Sequence, residues 1–270
     1  MTTIKFKLRA LKDCLRKMEP LLVAFSGGLD SSLLAVVARQ VLGNNVLAVT
    51  IRSPALSTRD LQDAKKIARS FGIRHRVVCA DDLRIPYFVA NPENRCYYCK
   101  FSHFTLLKKI AKARGFKTIA DGTNADDLND FRPGLKAASE LGIKHPLQEC
   151  GFAKRDIRRA ARLLGLATAA KPASPCLASR FPYGTPITRR QLRQLDILET
   201  KIRDMGFSDC RARVETRGIA RIEIPENEIK KALDNRLRKQ LLSAALKAGF
   251  RYAALDLAGL RSGNLNRRIK

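Results

Sequence analysis

The chain predicts an α/β protein in which a parallel sheet is flanked by helices and followed by a smaller α+β domain. Three observations lead there. Short apolar runs alternate with amphipathic segments of helical period through the first part of the chain, and several of those segments stop at a glycine. Strands joined by helical crossovers lie parallel, with helices on both faces. Four of the eleven prolines then fall between Pro172 and Pro186, an extended connection. Beyond it the pattern changes to short strands of period two. The domains read from this are 1–184 and 185–270.

The elements follow in order. Residues 4–18 place Leu8, Leu11, Leu15 and Met18 at helical spacing, and Pro20 closes them. Leu21 to Phe25 is a buried strand, broken by Ser26-Gly27-Gly28, and Asp30-Ser31-Ser32 opens a helix that ends at Gly43. Asn45–Ile51 is the second strand. Ser57-Thr-Arg-Asp60, a capping-box variant, opens a helix closed by Gly72. Arg76–Cys79 is the third strand. Residues 80–100 read as irregular, with a helix from Phe101 to Arg114 and a fourth strand, Lys117–Ala120. The polar loop Asp121–Asp127 follows that strand and is expected to face the loop after the first. Lys154 to Leu164 is a basic helix. In the second domain, Thr188 to Gln191 caps a helix with Leu192, Leu195, Leu198, Ile202 and Met205 inward. Arg211–Glu215 and Ala220–Ile224 alternate as strands, a single helix spans about 226–249, and Ala253–Leu257 is the last strand.

Composition narrows the class. Apolar residues make up 45% and charged residues 29%, the balance of a soluble globular protein, and no apolar run is long enough for a membrane span. The basic N-terminus lacks the apolar core of a signal peptide, and seven cysteines follow no disulfide-framework spacing, so a cytoplasmic location is expected. Net charge is +27. Residues 1–170 carry 30 Lys and Arg against 15 Asp and Glu, and residues 171–270 carry 22 against 10, so the excess is spread along the chain. Such a surface suits nucleic acid, and it equally suits solubility or a basic proteome. Trp is absent and Tyr numbers five, a poor supply of stacking platforms for single strands.

The chemistry concentrates at Ser26-Gly-Gly-Leu-Asp-Ser-Ser32. A strand, a glycine turn and a helix start bind phosphate, because backbone N–H groups approach the anion and the helix N-terminus is partly positive. Ser26, Ser31 and Ser32 add hydroxyls, while Gly27 and Gly28 let the backbone come close. Asp30 would repel a bare phosphate, which makes sense if Mg²⁺ lies between carboxylate and phosphate oxygens; a helix cap is the plainer role. Asp126 and Asp127 in the second loop could also serve Mg²⁺, or cap a helix. Cys176 lies in the proline-rich connection, where Arg180 would favour its thiolate, unless it is an inert buried cysteine. Cys96-Tyr-Tyr-Cys99 is half a zinc site with no second pair, a [4Fe–4S] ligand pair, or a silent pair or disulfide. Cys14, Cys79, Cys150 and Cys210 read as packing residues.

The loop resembles the pyrophosphate loop of the PP-loop ATP pyrophosphatases, an adenine nucleotide alpha hydrolase-like fold; no Gly-Lys-Ser/Thr follows, so it is not a Walker A loop. The resemblance implies that ATP is split between its α- and β-phosphates and that AMP is attached to a substrate oxygen. It places ATP on Ser26 to Ser32 and on Gly122, Thr123 and Asn124. Pro175-Cys-Leu-Ala-Ser-Arg-Phe-Pro-Tyr-Gly184, Asn94-Arg-Cys-Tyr-Tyr-Cys-Lys100 and Leu255-Asp-Leu-Ala-Gly-Leu-Arg-Ser-Gly263 extend the likeness nearly end to end, to the LarE group of sulfur-inserting enzymes.

That likeness implies an ATP-dependent sulfurtransferase acting on pyridinium-3,5-biscarboxylic acid mononucleotide, on the way to the nickel-pincer nucleotide of lactate racemase. A substrate carboxylate attacks the α-phosphorus, and the Cys176 thiolate attacks the acyl-adenylate. In one version the carbon–sulfur bond on the cysteine side breaks, sulfur stays with the substrate and dehydroalanine remains. In the other, which is the expectation here, Cys96, Cys99 and Cys176 hold a [4Fe–4S] cluster whose open iron carries sulfide. Lys100, Ser179, Arg180, Arg211, Arg213 and Arg261 become substrate ligands, with Glu199, placed on the polar side of its helix, and Glu223 as weaker metal or substrate contacts. The second domain is expected to bind substrate and support a homo-oligomer, trimeric or hexameric. The competing class is a tRNA-modifying enzyme with the same loop, thiolating or lysine-adding. An amide-forming synthetase would need an ammonia source, and no glutaminase-like domain fits this length.

Overall fold

The computed structural model describes residues 2–129 and 132–261, so Ser262 and Gly263 of the C-terminal motif lie outside the described residues. Contacts divide the chain into two units. Unit 1 comprises Met1–Ser53, Thr58–Ile85 and Asn94–Ser174, and unit 2 comprises Pro54–Ser57, Pro86–Glu93 and Pro175–Lys270.

Unit 1 runs α1 (Thr2–Arg16), β1 (Leu21–Ala24), α2 (Leu29–Leu42), β2 (Val46–Arg52), α3 (Thr58–Ser70) and β3 (His75–Cys79). After α4 (Pro86–Val89), a single turn that belongs to unit 2, come α5 (Arg95–Ala113), β4 (Thr118–Ala120), α6 (Pro133–Glu140), α7 (Pro146–Glu149) and α8 (Lys154–Leu163). The four strands form a parallel sheet in the order β3-β2-β1-β4. Its alternation sorts the core. Leu21 and Val23 pack with Leu11, Leu33, Leu34, Ala64 and Ile157 on one face. Leu22 packs with Leu47, Val49, Phe104 and Leu107 on the other. Both faces are covered, so β1 is apolar at every position. After β1 the chain steps outward to β2 and β3, then returns to the far side of β1 as β4. The carboxyl ends of β1 and β4 therefore flank the topological switch point, where open α/β sheets bind ligands.

Unit 2 contains α9 (Arg189–Asp204), β5 (Arg211–Glu215), β6 (Ile219–Glu223), α10 (Ile229–Leu233), α11 (Asn235–Ala248) and β7 (Tyr252–Leu255). Its sheet is β5-β6-β7, with β5 antiparallel and β7 parallel to β6. The unit begins at Pro175, earlier than residue 185, because the proline-rich stretch is bonded within it. Leu177 N–H donates to the Ala55 carbonyl (2.9 Å) and Gly184 N–H to that of Asn91 (2.9 Å). Asn91, fully buried and left-handed (φ 57°), donates its side-chain amide to the carbonyls of Pro182 (2.7 Å) and Thr185 (2.9 Å).

Three expectations need correction. Helix α5 starts at Arg95, so the two cysteines sit in its first two turns and not in an irregular loop. The segment from Arg95 to Lys100 lacks apolar periodicity, but Tyr97 O–H donates to Glu140 of α6 (2.7 Å) and Lys136 lies over its ring (5.9 Å). The helix expected over 226–249 is two, because Asp234 is extended and accepts from the N–H groups of Arg236 (3.0 Å) and Leu237 (3.1 Å) as the cap of α11. Cys79 is exposed and is no packing residue. Among the described residues, no helix is long and apolar enough to cross a membrane.

Candidate active site

The loop after β1 is held from within. Ser26 N–H donates to Ser31 Oγ (3.3 Å), the two hydroxyls lie 3.0 Å apart, and Ser26 Oγ accepts from Gly28 N–H (3.3 Å). Gly27 has a positive φ of 73°, and a Cβ there would stand 2.8 Å from Ala64 of α3. Glycine is therefore required twice, for conformation and for space. Gly28 caps α2 without a side-chain bond, leaving the first-turn N–H groups directed at the loop. Ser32 is buried, and its hydroxyl has no hydrogen-bond partner.

Asp30 lies in the first turn of α2. One carboxylate oxygen accepts from the Lys154 ammonium at the start of α8, and the other is buried without a partner. That second oxygen suits a cation, so the donor set fits the Mg²⁺ that Asp30 predicts. Lys154 was not legible as a site residue, since a basic residue opening a basic helix carries no local signal. Its backbone N–H donates to Asp126 (2.7 Å), which fastens α8 to the second loop.

That second loop does lie against the first. A Cβ on Gly122 would stand 2.7 Å from the Ser31 nitrogen. Asp121, at the end of β4, is bonded to His145 Nδ1 (2.7 Å) and accepts from Thr123 N–H (3.0 Å). Burial alone would raise its carboxyl, but the bond from His145 and the Lys100 charge outweigh it and hold the pKa at about 2. Lys100 is thus close enough to Asp121 to act on it. Asp127 accepts from Asn124 N–H (3.0 Å) and pairs with Arg132 (2.9 Å). Asp126 and Asp127 therefore do the work of caps and ties here.

In unit 2, Cys176 is exposed at the head of a tight turn, Leu177–Arg180. Arg180 is only 1% exposed. Its guanidinium grips Glu199 with two bonds (2.7 and 2.9 Å) and donates to the carbonyls of Pro175 (2.9 Å) and Cys176 (3.3 Å) and to Ser179 Oγ (2.8 Å). Burial pulls the Arg180 pKa down, but Glu199, with a smaller pull from Cys176, leaves it raised. Glu199 is not on a polar face: it is 2% exposed and also accepts from Ala212 N–H (3.0 Å). Burial would raise its carboxyl, and Arg180 and Arg203 hold it below the usual range. The alternation of β5 predicts a solvated face with Arg211 and Arg213; the structure buries both. Arg211 pairs with Asp209 (2.7 Å). Arg213 binds Glu223 bidentately (3.1 and 3.0 Å) and donates to the Ser179 carbonyl (2.6 Å), while Glu223 also accepts from Arg221 (2.8 Å). A buried arginine is tolerated only with a carboxylate to match, and Arg180 and Arg213, matched by Glu199 and Glu223, clasp the turn that carries Cys176. Arg261 is exposed. Cys96 is exposed and Cys99 half-buried, one turn apart on α5.

Comparison with known proteins agrees with this geometry. A family model described as asparagine synthase matches residues 8–182. An uncharacterised protein of Synechocystis sp. is 41% identical over 264 residues, 98% of each chain. The pyridinium-3,5-bisthiocarboxylic acid mononucleotide synthase of Lactiplantibacillus plantarum is 39% identical over 269 residues, 98% of this chain and 96% of its own. The tRNA-5-methyluridine(54) 2-sulfurtransferase of Pyrococcus horikoshii is 32% identical over 122 residues, 43% of this chain and 39% of its own. Similarity that runs the whole length in one direction and under half of it in the other makes this chain a member of the PP-loop ATP pyrophosphatases, in the LarE group of ATP-dependent sulfur transferases.

Proposed function

We propose that the protein inserts sulfur into pyridinium-3,5-biscarboxylic acid mononucleotide. The observation that carries this is the full-length likeness to the synthase of that thiocarboxylate, with the pyrophosphate loop and Cys176 on one collinear chain. A substrate carboxylate oxygen attacks the α-phosphorus of ATP and pyrophosphate leaves. The loop after β1, the first turn of α2 and Lys154 hold the polyphosphate and balance its charge. Asp30 would hold Mg²⁺, which when bound screens the phosphate oxygens. The Cys176 thiolate then attacks the acyl carbon and AMP leaves. If the cysteine is consumed, its Cα proton is removed, the Cβ–S bond breaks, and the substrate departs as thiocarboxylate.

The finer reading assigns Cys96, Cys99 and Cys176 as thiolates for a [4Fe–4S] cluster, whose open iron would supply exchangeable sulfide. The pair on α5 and the exposure of Cys176 are compatible with that donor set. The same reading carries a cytoplasmic homo-oligomer and substrate contacts at Lys100, Ser179 and Arg261. The tRNA alternative draws on the positive charge and on the shared loop, and the likeness to a tRNA sulfurtransferase covers 43% of this chain.

Two measurements test the proposal. Cys176→Ala should retain substrate-dependent pyrophosphate release and lose the thiocarboxylate; sulfurated product from this variant defeats the assignment. Anaerobic purification with iron and sulfide analysis separates the two sulfur routes. Brown protein that loses iron in Cys96→Ala, Cys99→Ala and Cys176→Ala supports the cluster. Colourless protein whose mass falls by one H₂S per reaction supports the consumed cysteine.

A further inference from the structure

We propose that Thr50 and His75 are positioning residues for the pyrophosphate loop, acting through the peptide that joins Phe25 to Ser26. The proposal rests on the reading of that loop as the ATP site, and all of its residues lie in unit 1.

Thr50 is the residue that calls for a reason. It is the only polar residue between positions 46 and 51, and it is 1% exposed in a sheet covered on both faces. Valine would fill the same space with no hydroxyl to desolvate, and a buried hydroxyl is tolerated only when it is bonded. Thr50 Oγ1 lies 2.6 Å from the Phe25 carbonyl oxygen and 2.8 Å from His75 Nε2. A hydroxyl carries one proton and a carbonyl can only accept, so Thr50 donates to Phe25 and accepts from His75 Nε2–H. Burial, with a smaller contribution from the Lys65 charge on α3, lowers the His75 pKa, so the ring that donates is neutral at pH 7. Phe25, Thr50 and His75 thus form a row across the neighbouring strands β1, β2 and β3.

The Phe25–Ser26 peptide is where strand becomes loop. β1 ends at Ala24, and Phe25 N–H makes one more bond to β2, at the Val49 carbonyl (2.9 Å). Beyond it side chains take over. The Phe25 carbonyl is held by Thr50, and the Ser26 N–H of the same peptide by Ser31 Oγ (3.3 Å). One peptide is therefore gripped at both ends, from β2 and from the first turn of α2. The His75 ring also packs edge-on against the Phe25 ring, with centroids 5.4 Å apart and planes at 86°. Without the Thr50 bond the peptide plane can turn, and turning it redirects the Ser26 hydroxyl and the Gly27 N–H. Donors ordered before binding hold an anion more tightly than donors that must be ordered by it.

The test uses the full-length chain and Mg-ATP, with binding measured by calorimetry and catalysis as substrate-dependent pyrophosphate release. Thr50→Val keeps the shape and removes the hydroxyl. Its ATP Kd should rise about fivefold to thirtyfold, with kcat/KM for ATP falling in step and the thermal midpoint close to wild type. Thr50→Ser restores the donor and should bind within about twofold of wild type. His75→Phe keeps a ring against Phe25 and removes the donor, so it should weaken ATP about twofold to fivefold. His75 acts only through Thr50, so adding His75→Phe to Thr50→Val should change the Kd by less than about twofold. In the wild-type protein the imidazole nitrogen shifts of His75, assigned by their loss in His75→Phe, should be those of the Nε2–H tautomer. Wild-type ATP affinity in Thr50→Val, equal weakening by Thr50→Ser and Thr50→Val, additive effects in the double variant, or an Nδ1–H tautomer would each overturn the proposal while the loop assignment stands. Failure of the wild-type chain to bind Mg-ATP would overturn both.

Discussion

At Asp30 one carboxylate oxygen accepts from the Lys154 ammonium and the other is buried without a partner. Asp30→Asn keeps the shape and removes the charge, so substrate-dependent pyrophosphate release should fall on the order of a hundredfold or more. Lys154→Met should leave folding intact and raise the ATP KM, since its Asp126 bond is made by the backbone. Wild-type kinetics in both variants would remove this pair from the chemistry. Arg180 makes a different kind of claim. Glu199→Gln would strand its guanidinium in the interior, with a loss on the order of 3–5 kcal/mol by urea unfolding. The double change Arg180→Met with Glu199→Leu should recover most of that loss while sulfur transfer stays impaired, because the carbonyls of Pro175 and Cys176 lose their donor. Full sulfur transfer in the double variant would show that the clasp is for stability alone.

The facing loops act at the scale of elements. Gly122→Ala would push a Cβ to within 2.7 Å of backbone in the first turn of α2, so the two strand-end loops must separate. We expect a stability loss of about 1–3 kcal/mol and a clear rise in ATP KM. Gly142→Ala is the control: its φ is also positive, 69°, but nothing lies within 4 Å of the added carbon, so it should cost stability without touching ATP. A Gly122→Ala enzyme with unchanged KM would break the link between loop contact and nucleotide. These loops were legible in the sequence because glycine, an apolar run and a helix start are local signals. The first turn of α5 was not, since it is stabilised by Glu140 and Lys136 from α6. Nor was the burial of Arg211 and Arg213. Strand alternation reports which residues share a face, whereas the carboxylates that let such a face be buried, Asp209 and Glu223, are a property of the assembled unit.

The pH response joins residue and unit. The Asp121 carboxyl sits at about 2 against an ordinary 3.8. A carboxylate held below its unfolded value contributes its full stabilisation above about pH 4, on the order of 2 kcal/mol here, and loses it as pH falls toward 2. Asp121→Asn should therefore flatten the acid limb of the stability curve of unit 1. An unchanged limb between pH 4 and 2 would mean that His145 and Lys100 do not hold this group in solution.

Charge belongs to the whole molecule. The excess of +27 is spread in both halves of the sequence, and α1 shows how it is carried: Lys5, Arg9 and Arg16 are exposed while Ile4, Leu11 and Leu15 are buried. A tRNA-modifying enzyme would need more than positive surface, because specific RNA recognition relies on stacked or edge-read bases, and Trp is absent from this chain. Diffuse charge binds any polyanion by counterion release, with an affinity that falls steeply with salt and ignores sequence. We therefore expect tRNA, an unrelated RNA of equal length and heparin to bind with similar strength at low salt. All three should lose roughly a thousandfold or more in affinity between about 50 and 200 mM salt if six to ten phosphates are contacted. Fluorescence anisotropy across a salt series measures this directly. Selective retention of tRNA at physiological salt, with a shallow slope, would favour the tRNA reading over sulfur insertion and would require contacts that surface charge alone does not supply.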